Sequence, residues 1–423
     1  MTDTHRAVEA VFRIESARLI AGLTRIVRDI GRAEELAQDA LVAALEQWPA
    51  AGVPANPGAW LMAAARNRAI DHVRRDRRAE RVRDAIGREV EGRQFGPGPD
   101  VDAALDDPVG DDLLRLIFTA CHPVLPSDAR AALTLRLLGG LSTDEIARAF
   151  LAPEPTVAQR IVRAKRTLAE KGVPFEVPRG PDLADRLASV LEVVYLIFNE
   201  GYAATAGDDW TRPALCEEAQ RLGRVLAGLM PDAAEVHGLV ALMEIQASRL
   251  RARVGPGGEP VLLLDQDRSR WDRRLIRRGL AALDRAERLG GGPYTLQAAI
   301  AACHARAAAA EDTDWGRIAG LYAALAAVTP SPVVELNRAV AVGMASGPAA
   351  GLAVADALAD EPAMRNYHLL PAVRGDLLAK IGRSAEARAE FERAAALTRN
   401  AREREVLLGR AAACAAASPP PPA

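Results

Sequence analysis

Two stretches of this chain set planar, multiply donating side chains at helical spacing, the chemistry that recognises phosphates and base edges. In the first, a helix is predicted from about Trp60 to Arg78. Leu61, Ala65, Ala69 and Val73 recur every four residues on its core face, and Asn67, Asp71, Arg74 and Arg78 line another. Arg68, Arg75 and Arg77 raise the basic density there. A guanidinium suits phosphate because its flat fork donates two hydrogen bonds at once. In the second stretch, Gln159, Arg160, Arg163 and Arg166 share the polar face of a helix predicted from about Glu154 to Leu168. A basic helix face is also what an ordinary solvated surface looks like, so the positioning elements matter.

The second stretch has them. Gly139-Gly140 precedes Leu141 to Phe150, where Ser142 and Glu145 stand at capping-box spacing. Ile146, Ala147 and Phe150 supply an apolar face, and Leu151-Ala152-Pro153 makes a turn. Pro153 and Pro155 fit a turn or the first turn of a helix, where a missing N–H costs nothing. This is the layout of a helix-turn-helix with a charged recognition helix, against a plain helical hairpin as the alternative.

The wider composition is helical. Ala and Leu dominate the 423 residues, 49% are hydrophobic and aromatics are only 4%. The formal net charge is −2, which alone argues against nucleic acid, but the charge is unevenly placed. Arginines cluster from Arg66 to Arg83 and from Arg160 to Arg166, with acids between them from Asp100 to Asp112; Lys occurs only at 165, 171 and 380. Cys121, Cys216, Cys303 and Cys414 stand far apart with no CxxC pair or zinc-like spacing, so buried thiols are expected, with no metal and no cofactor. No apolar run is long enough to span a bilayer and no signal-peptide pattern opens the chain, so no membrane association and a cytoplasmic location are expected.

Order along the chain follows from its breakers. Three or four helices are expected over 5–83, then an acidic flexible linker over 84–110 containing Gly96-Pro97-Gly98-Pro99, then a compact helical unit over 111–173. Pro174, Pro178 and Pro181 mark the next boundary, and helix follows helix over 182–415.

Two helical nucleic-acid-binding units joined by an acidic linker resemble regions 2 and 4 of a sigma factor. Arg32 to Leu41 is similar to that family's polymerase-binding helix, Asn56 to Leu61 with Ala64 to Asp71 to its melting and −10 segment, and Gly140 to Ala147 with Thr156-Val157 to its −35 reader. The chain lacks the extra regions of a housekeeping factor and so resembles the short extracytoplasmic-function (ECF) class over residues 5–172. Ala158, the prolines 153 and 155, and the segment Thr119 to Pro126 depart from the usual pattern.

The resemblance implies an all-α protein with no catalytic residue, whose partners are core RNA polymerase and promoter DNA. Glu34, Glu35, Gln38 and Asp39 would meet the polymerase clamp. Gln47, Trp48, Asn56 and Trp60 would capture unstacked bases, with a core role as the alternative for both tryptophans. Asn67, Arg68, Asp71, Arg74, Arg75, Arg77 and Arg78 would hold the duplex upstream. Thr156, Val157, Gln159, Arg160, Arg163, Lys165 and Arg166 would form the −35 contact. The linker acids Asp100, Asp102, Asp106 and Asp107 would mimic nucleic acid or simply solubilise the linker.

The remainder resembles a tetratricopeptide-like extension found in one ECF subgroup. Gly375, Gly382, Ala387, Phe391 and Ala394 match the spacing of one repeat. Asn199, Glu200 and Tyr202 with Asp208, Asp209 and Trp210 would form a regulatory pocket for an unknown ligand or protein, or else a capped helix end. Asp265 to Asp272 would form an ion-pair network or a docking surface. The extension is expected to regulate the rest in cis. A helical-repeat adaptor with a degenerate DNA-binding half, a helix-turn-helix repressor and an enzyme in the extension are the rival readings; no phosphate loop, nucleophile elbow or HExxH supports the last.

Overall fold

A computed structural model describes residues 3–87, 109–150, 152–203 and 211–416. The predicted linker acids and the pocket residues Asp208, Asp209 and Trp210 lie outside the described residues, as do the side chains of Arg75, Arg77 and Arg78. The described chain is helical, with no strand among the described residues beyond an isolated bridge between Val254 and Pro260. It divides into two compact units, Met1–Val194 and Tyr195–Ala423.

The first unit opens with α1 (Asp3–Val27), α2 (Ile30–Ala51) and α3 (Pro57–Gly87), each packed on the other two. Ala33, Ala37, Ala40 and Ala44 on α2 are fully enclosed, and these small side chains let neighbouring helices approach closely. Asp29 starts α2 by accepting from the Arg32 N–H at 2.6 Å. On α3 the expected core face is real for Leu61, Ala65 and Ala69, while Val73 is half-buried. Then come α4 (Val109–Ala120), α5 (Ser127–Leu137), α6 (Thr143–Ala149) and α7 (Glu154–Glu170), with α4 packed on α1.

The helix α8 (Pro181–Tyr202) straddles the division, which falls inside it rather than at the proline-marked stretch 174–181. The reason lies in bonds from α8 to the end of α4, the turn after it and α5. Arg186 donates to the Phe118 carbonyl at 2.8 Å, and Ser189 donates to the Cys121 carbonyl at 2.6 Å. Buried Arg130 donates to the Ser189 hydroxyl at 2.5 Å and pairs with Glu192 at 3.0 Å. These bonds fasten the first half of α8 to α4 and α5.

The second unit continues with α9 (Pro213–Leu229), α10 (Ala234–Ala247), α11 (Arg273–Arg288), α12 (Pro293–Arg306), α13 (Trp315–Val328), α14 (Pro332–Ser346), α15 (Pro348–Asp356), α16 (Leu369–Lys380), α17 (Ser384–Leu397) and α18 (Ala401–Ala416). Consecutive helices pack on one another along this run. In the α16–α17 hairpin, Gly382 turns with a positive φ of 82°. A Cβ on Gly375 would stand 2.9 Å from the Phe391 ring, so glycine there lets the aromatic seat between the helices.

Candidate nucleic-acid interface

The α6–α7 pair is positioned by its caps. Ser142 Oγ accepts from the Glu145 N–H at 3.1 Å, and the Glu145 carboxylate accepts from the Ser142 N–H at 2.8 Å, which closes the predicted capping box. The turn is held by the Ala152 N–H on the Ala147 carbonyl at 3.0 Å. Pro153 precedes α7 and Pro155 sits in its first turn. Val157, Ile161, Ala164 and Leu168 form the buried stripe of α7.

Thr156, Gln159, Arg163 and Arg166 are therefore exposed along α7, and Arg166 reaches Glu170 at 3.5 Å. Arg160 is half-buried and pairs with Asp128 on α5 at 2.9 Å. Val157 is not a surface group: it is fully buried and anchors the helix. Lys165 turns inward to the carboxylate of Glu34.

On α3, Asn67, Asp71 and Arg74 are exposed as a row, as their spacing predicts, and Arg68 is exposed beside them. Asn56 caps the helix, its side-chain oxygen accepting from the Ala59 N–H at 3.1 Å. Gln47 is exposed. Trp48 is 2% exposed and meets Trp60 edge to face with ring centroids 5.4 Å apart, so Trp48 belongs to the core and Trp60, half-buried, to its rim.

The acidic helix α2 splits in the same way. Glu35 and Asp39 are exposed, with Glu35 paired to Arg32 at 2.7 Å. Glu34 is buried, accepting from Arg136 at 2.6 Å and Gln38 at 3.1 Å as well as from Lys165. Sequence reasoning missed Arg136, whose role depends on a partner 102 residues away. Before α5, burial holds the His122 imidazole down at about 4 and pushes the Cys121 thiol up to about 11. The His122 Nδ1 accepts from the Val124 N–H at 3.0 Å, which suits a neutral ring fixing the α4–α5 turn.

Residues 12–79 match the family model Sigma-70 region 2, and residues 115–168 match Sigma-70, region 4. The chain is 33% identical over 173 residues to the ECF RNA polymerase sigma factor SigL of Mycobacterium tuberculosis, covering 39% of this chain and 91% of that protein. The chain belongs to the ECF sigma factor family. The ECF RNA polymerase sigma-E factor of Haemophilus influenzae is 33% identical over 117 residues, 27% of this chain and 61% of that protein. An uncharacterized protein of Rhizobium meliloti, R00370, is 45% identical over 405 residues, 95% of this chain and 94% of its own length, so the sigma regions and the extension occur together in it. Residues 186–287 match a family of unknown function, DUF6596. No solved structure matches. Sigma factors of this kind bind core RNA polymerase and promoter DNA and are not enzymes.

In the extension of this sigma factor, two of the expected pocket residues, Glu200 and Tyr202, are tied to arginines. Glu200 pairs with Arg212, and the Tyr202 hydroxyl accepts from Arg249 at 2.6 Å. Arg253 lies over the Tyr202 ring, 3.8 Å from its centroid, and Asn199 is exposed. Within the Asp265 to Asp272 stretch, expected to form an ion-pair network or a docking surface, no salt bridge joins its own side chains among the described residues, although hydrogen bonds from Ser269 and then the charge of Arg270 lower the Asp267 pKa. Asp267 and Asp272 cap the helical turns that follow them, and buried Arg268 donates to the carbonyls of His304 and Ala307 at 2.6 and 2.8 Å. Among the described residues no cluster of metal-binding side chains is present, and no helix is long and apolar enough to cross a membrane.

Proposed function

We propose that this chain directs core RNA polymerase to a particular set of promoters in the cytoplasm. Region 2 recognises and melts the −10 element, region 4 reads the −35 element, and the extension regulates both in cis. The observation that carries the reading is the pairing of two exposed polar helix faces in one compact unit: Asn67, Arg68, Asp71 and Arg74 on α3, and Thr156, Gln159, Arg163 and Arg166 on α7.

Glu35, Gln38 and Asp39 offer the polymerase contact, joined by Glu34 once Arg136 and Lys165 release it. Gln47, Asn56 and Trp60 stand where a strand leaving the duplex would be met. Aromatic stacking is worth about 1–3 kcal/mol per base in single-strand sites. Arg160 reads DNA when it exchanges Asp128 for a base or a phosphate. Asn199, Glu200 and Tyr202 belong to the part of the extension that receives its ligand or partner protein, its helices stacked in a tetratricopeptide-like manner.

The test is transcription from a pool of genomic promoter fragments by core polymerase with the purified chain. Starts sharing two upstream elements support the reading. Loss of that pattern with Arg163→Ala, and altered output when residues after Val177 are removed, support the −35 and the cis-regulatory assignments. Absence of polymerase binding overturns it.

A further inference from the structure

Between residues 249 and 288 the chain carries eleven arginines against six acids. Some of these cations are used internally: Arg278 pairs with Glu244 at 2.7 Å, and Arg285 with Asp232 at 3.0 Å. Arg251, Arg270, Arg273, Arg274 and Arg277 are different. All five are exposed, and the side chain of none makes an ion pair or hydrogen bond among the described residues. Arg251 and Arg270 line one open cavity of about 640 Å³ with Ser269, Trp271 and Asp272. The other three occupy the first two turns of α11, immediately after that cavity.

This placement works against the helix. The N-terminal end of α11 is the positive end of its dipole, where cations destabilise and acids are normally preferred. No acid stands in its first turn, and Asp272 turns its carboxylate to the N–H groups of Arg274 and Leu275 at 2.8 and 3.1 Å. Asp272 shares the cavity and Asp267 feels the charge of Arg270, yet five arginines without an ion-pair partner among the described residues outnumber these two acids and leave a net positive field with open donors.

We infer that this face binds the phosphate backbone of duplex DNA, giving the chain a contact with DNA outside regions 2 and 4. The inference rests on the sigma-factor reading, which brings DNA to the chain. Charge complementarity favours DNA over a protein. A protein partner needs apolar or aromatic anchors at the centre of its contact. In this cavity Leu250 and Val254 are only half-exposed and Trp271 is 3% exposed. Guanidinium forks reading phosphates need no such anchor.

The test is fluorescence anisotropy of the full chain with a labelled random-sequence duplex across a salt series. Each phosphate contact contributes about 0.9 to the slope of log affinity against log salt. The triple variant Arg273→Ala, Arg274→Ala, Arg277→Ala is expected to flatten the slope by roughly 2 to 3. The corresponding triple lysine variant keeps most of it, and Arg163→Ala on α7 flattens it by about 1. An unchanged slope in the triple alanine variant, with Arg163→Ala still lowering it, overturns the inference and leaves the sigma-factor reading intact. Loss of poly-glutamate binding with an unchanged DNA slope overturns it in favour of an acidic protein. Absence of duplex binding by the full chain at low salt also overturns it, while promoter-directed transcription continues to test the sigma-factor reading separately.

Discussion

The Arg136 Nε stands 2.6 Å from the Glu34 Oε1, joining α5 to α2 across 102 residues of sequence. Lys165 on α7 takes the other carboxylate oxygen, so one acid on α2, in region 2, is held by two cations of region 4. The Glu34 side chain is 7% exposed, against 24% and 22% for Arg136 and Lys165. Removing the acid would leave two like charges facing each other. Glu34→Ala is therefore expected to lower stability by about 2 kcal/mol, short of the 3–5 kcal/mol of a fully enclosed pair because both cations keep some water. Urea unfolding of the purified variant measures it, and an unchanged midpoint would show the cluster to be energetically neutral.

The same cluster sets an expectation for assembly. If Glu34 joins the polymerase contact, it must first give up Lys165. Lys165→Met should then tighten binding to core RNA polymerase by up to tenfold, about 1.4 kcal/mol. A titration against labelled polymerase reads this directly. Weaker binding would mean that Glu35, Gln38 and Asp39 make the contact without Glu34.

The capping box gives a local prediction. Ser142→Ala removes the acceptor at the start of α6 and should cost about 1 kcal/mol. Because α6 packs against α7, DNA binding through region 4 should weaken at elevated temperature before it weakens at low temperature. Equal loss at both temperatures would instead point to a direct contact by Ser142.

Local signals were legible in the sequence, and long-range ones were not. Ser142 with Glu145, the Leu61-Ala65-Ala69 stripe, and Gly375 with Phe391 all act within one helix or one hairpin, where spacing alone fixes the partner. Trp48 stood between a base contact and the core, and Val157 was expected in the −35 contact but is buried, because a position near a binding segment does not say which way its side chain points. Glu34 reads as a surface acid because nothing near it in sequence announces Arg136 or Lys165. Placing the unit boundary inside α8 likewise depends on Arg186 and Ser189 reaching back 68 residues to Phe118 and Cys121. From composition Asp265 to Asp272 could be an ion-pair network or a docking surface, and nothing in it announces that Asp267 and Asp272 are used as helix caps.

Close helix approach makes a prediction whose sign can be checked within one unit. A Cβ on Gly351 of α15 would lie 2.6 Å from the Ala339 carbonyl oxygen and 2.7 Å from the Gly343 Cα, both backbone atoms of α14. Gly351→Ala forces those helices apart at about 1–3 kcal/mol, of which helix propensity returns up to about 1 kcal/mol. Gly409 on α18 is exposed and has nothing within 4 Å of such a Cβ, so Gly409→Ala should stabilise by roughly 0.4–1 kcal/mol. Thermal melts of the two variants should move in opposite directions.

His304 provides the pH dependence. The residue is 8% exposed, its ring meets that of Trp315 edge to face at 5.1 Å, and its Nδ1 has no hydrogen-bond partner among the described residues. Burial, with the positive charges of Arg249 and Arg268 nearby, holds its pKa down at about 4 from an ordinary 6.5. The folded state thus takes up the proton less readily than the unfolded state. Stability from the neutral ring is complete above pH 6.5, and it is lost as pH falls from there toward 4. The difference amounts to as much as about 3 kcal/mol over that window. His122 titrates in the same direction, so the informative quantity is a difference between proteins. Thermal midpoints of the wild type should fall more steeply between pH 6.5 and 4.5 than those of His304→Gln, which carries no titrating group at that position. Parallel curves for the two proteins would show that His304 takes up its proton equally well folded and unfolded.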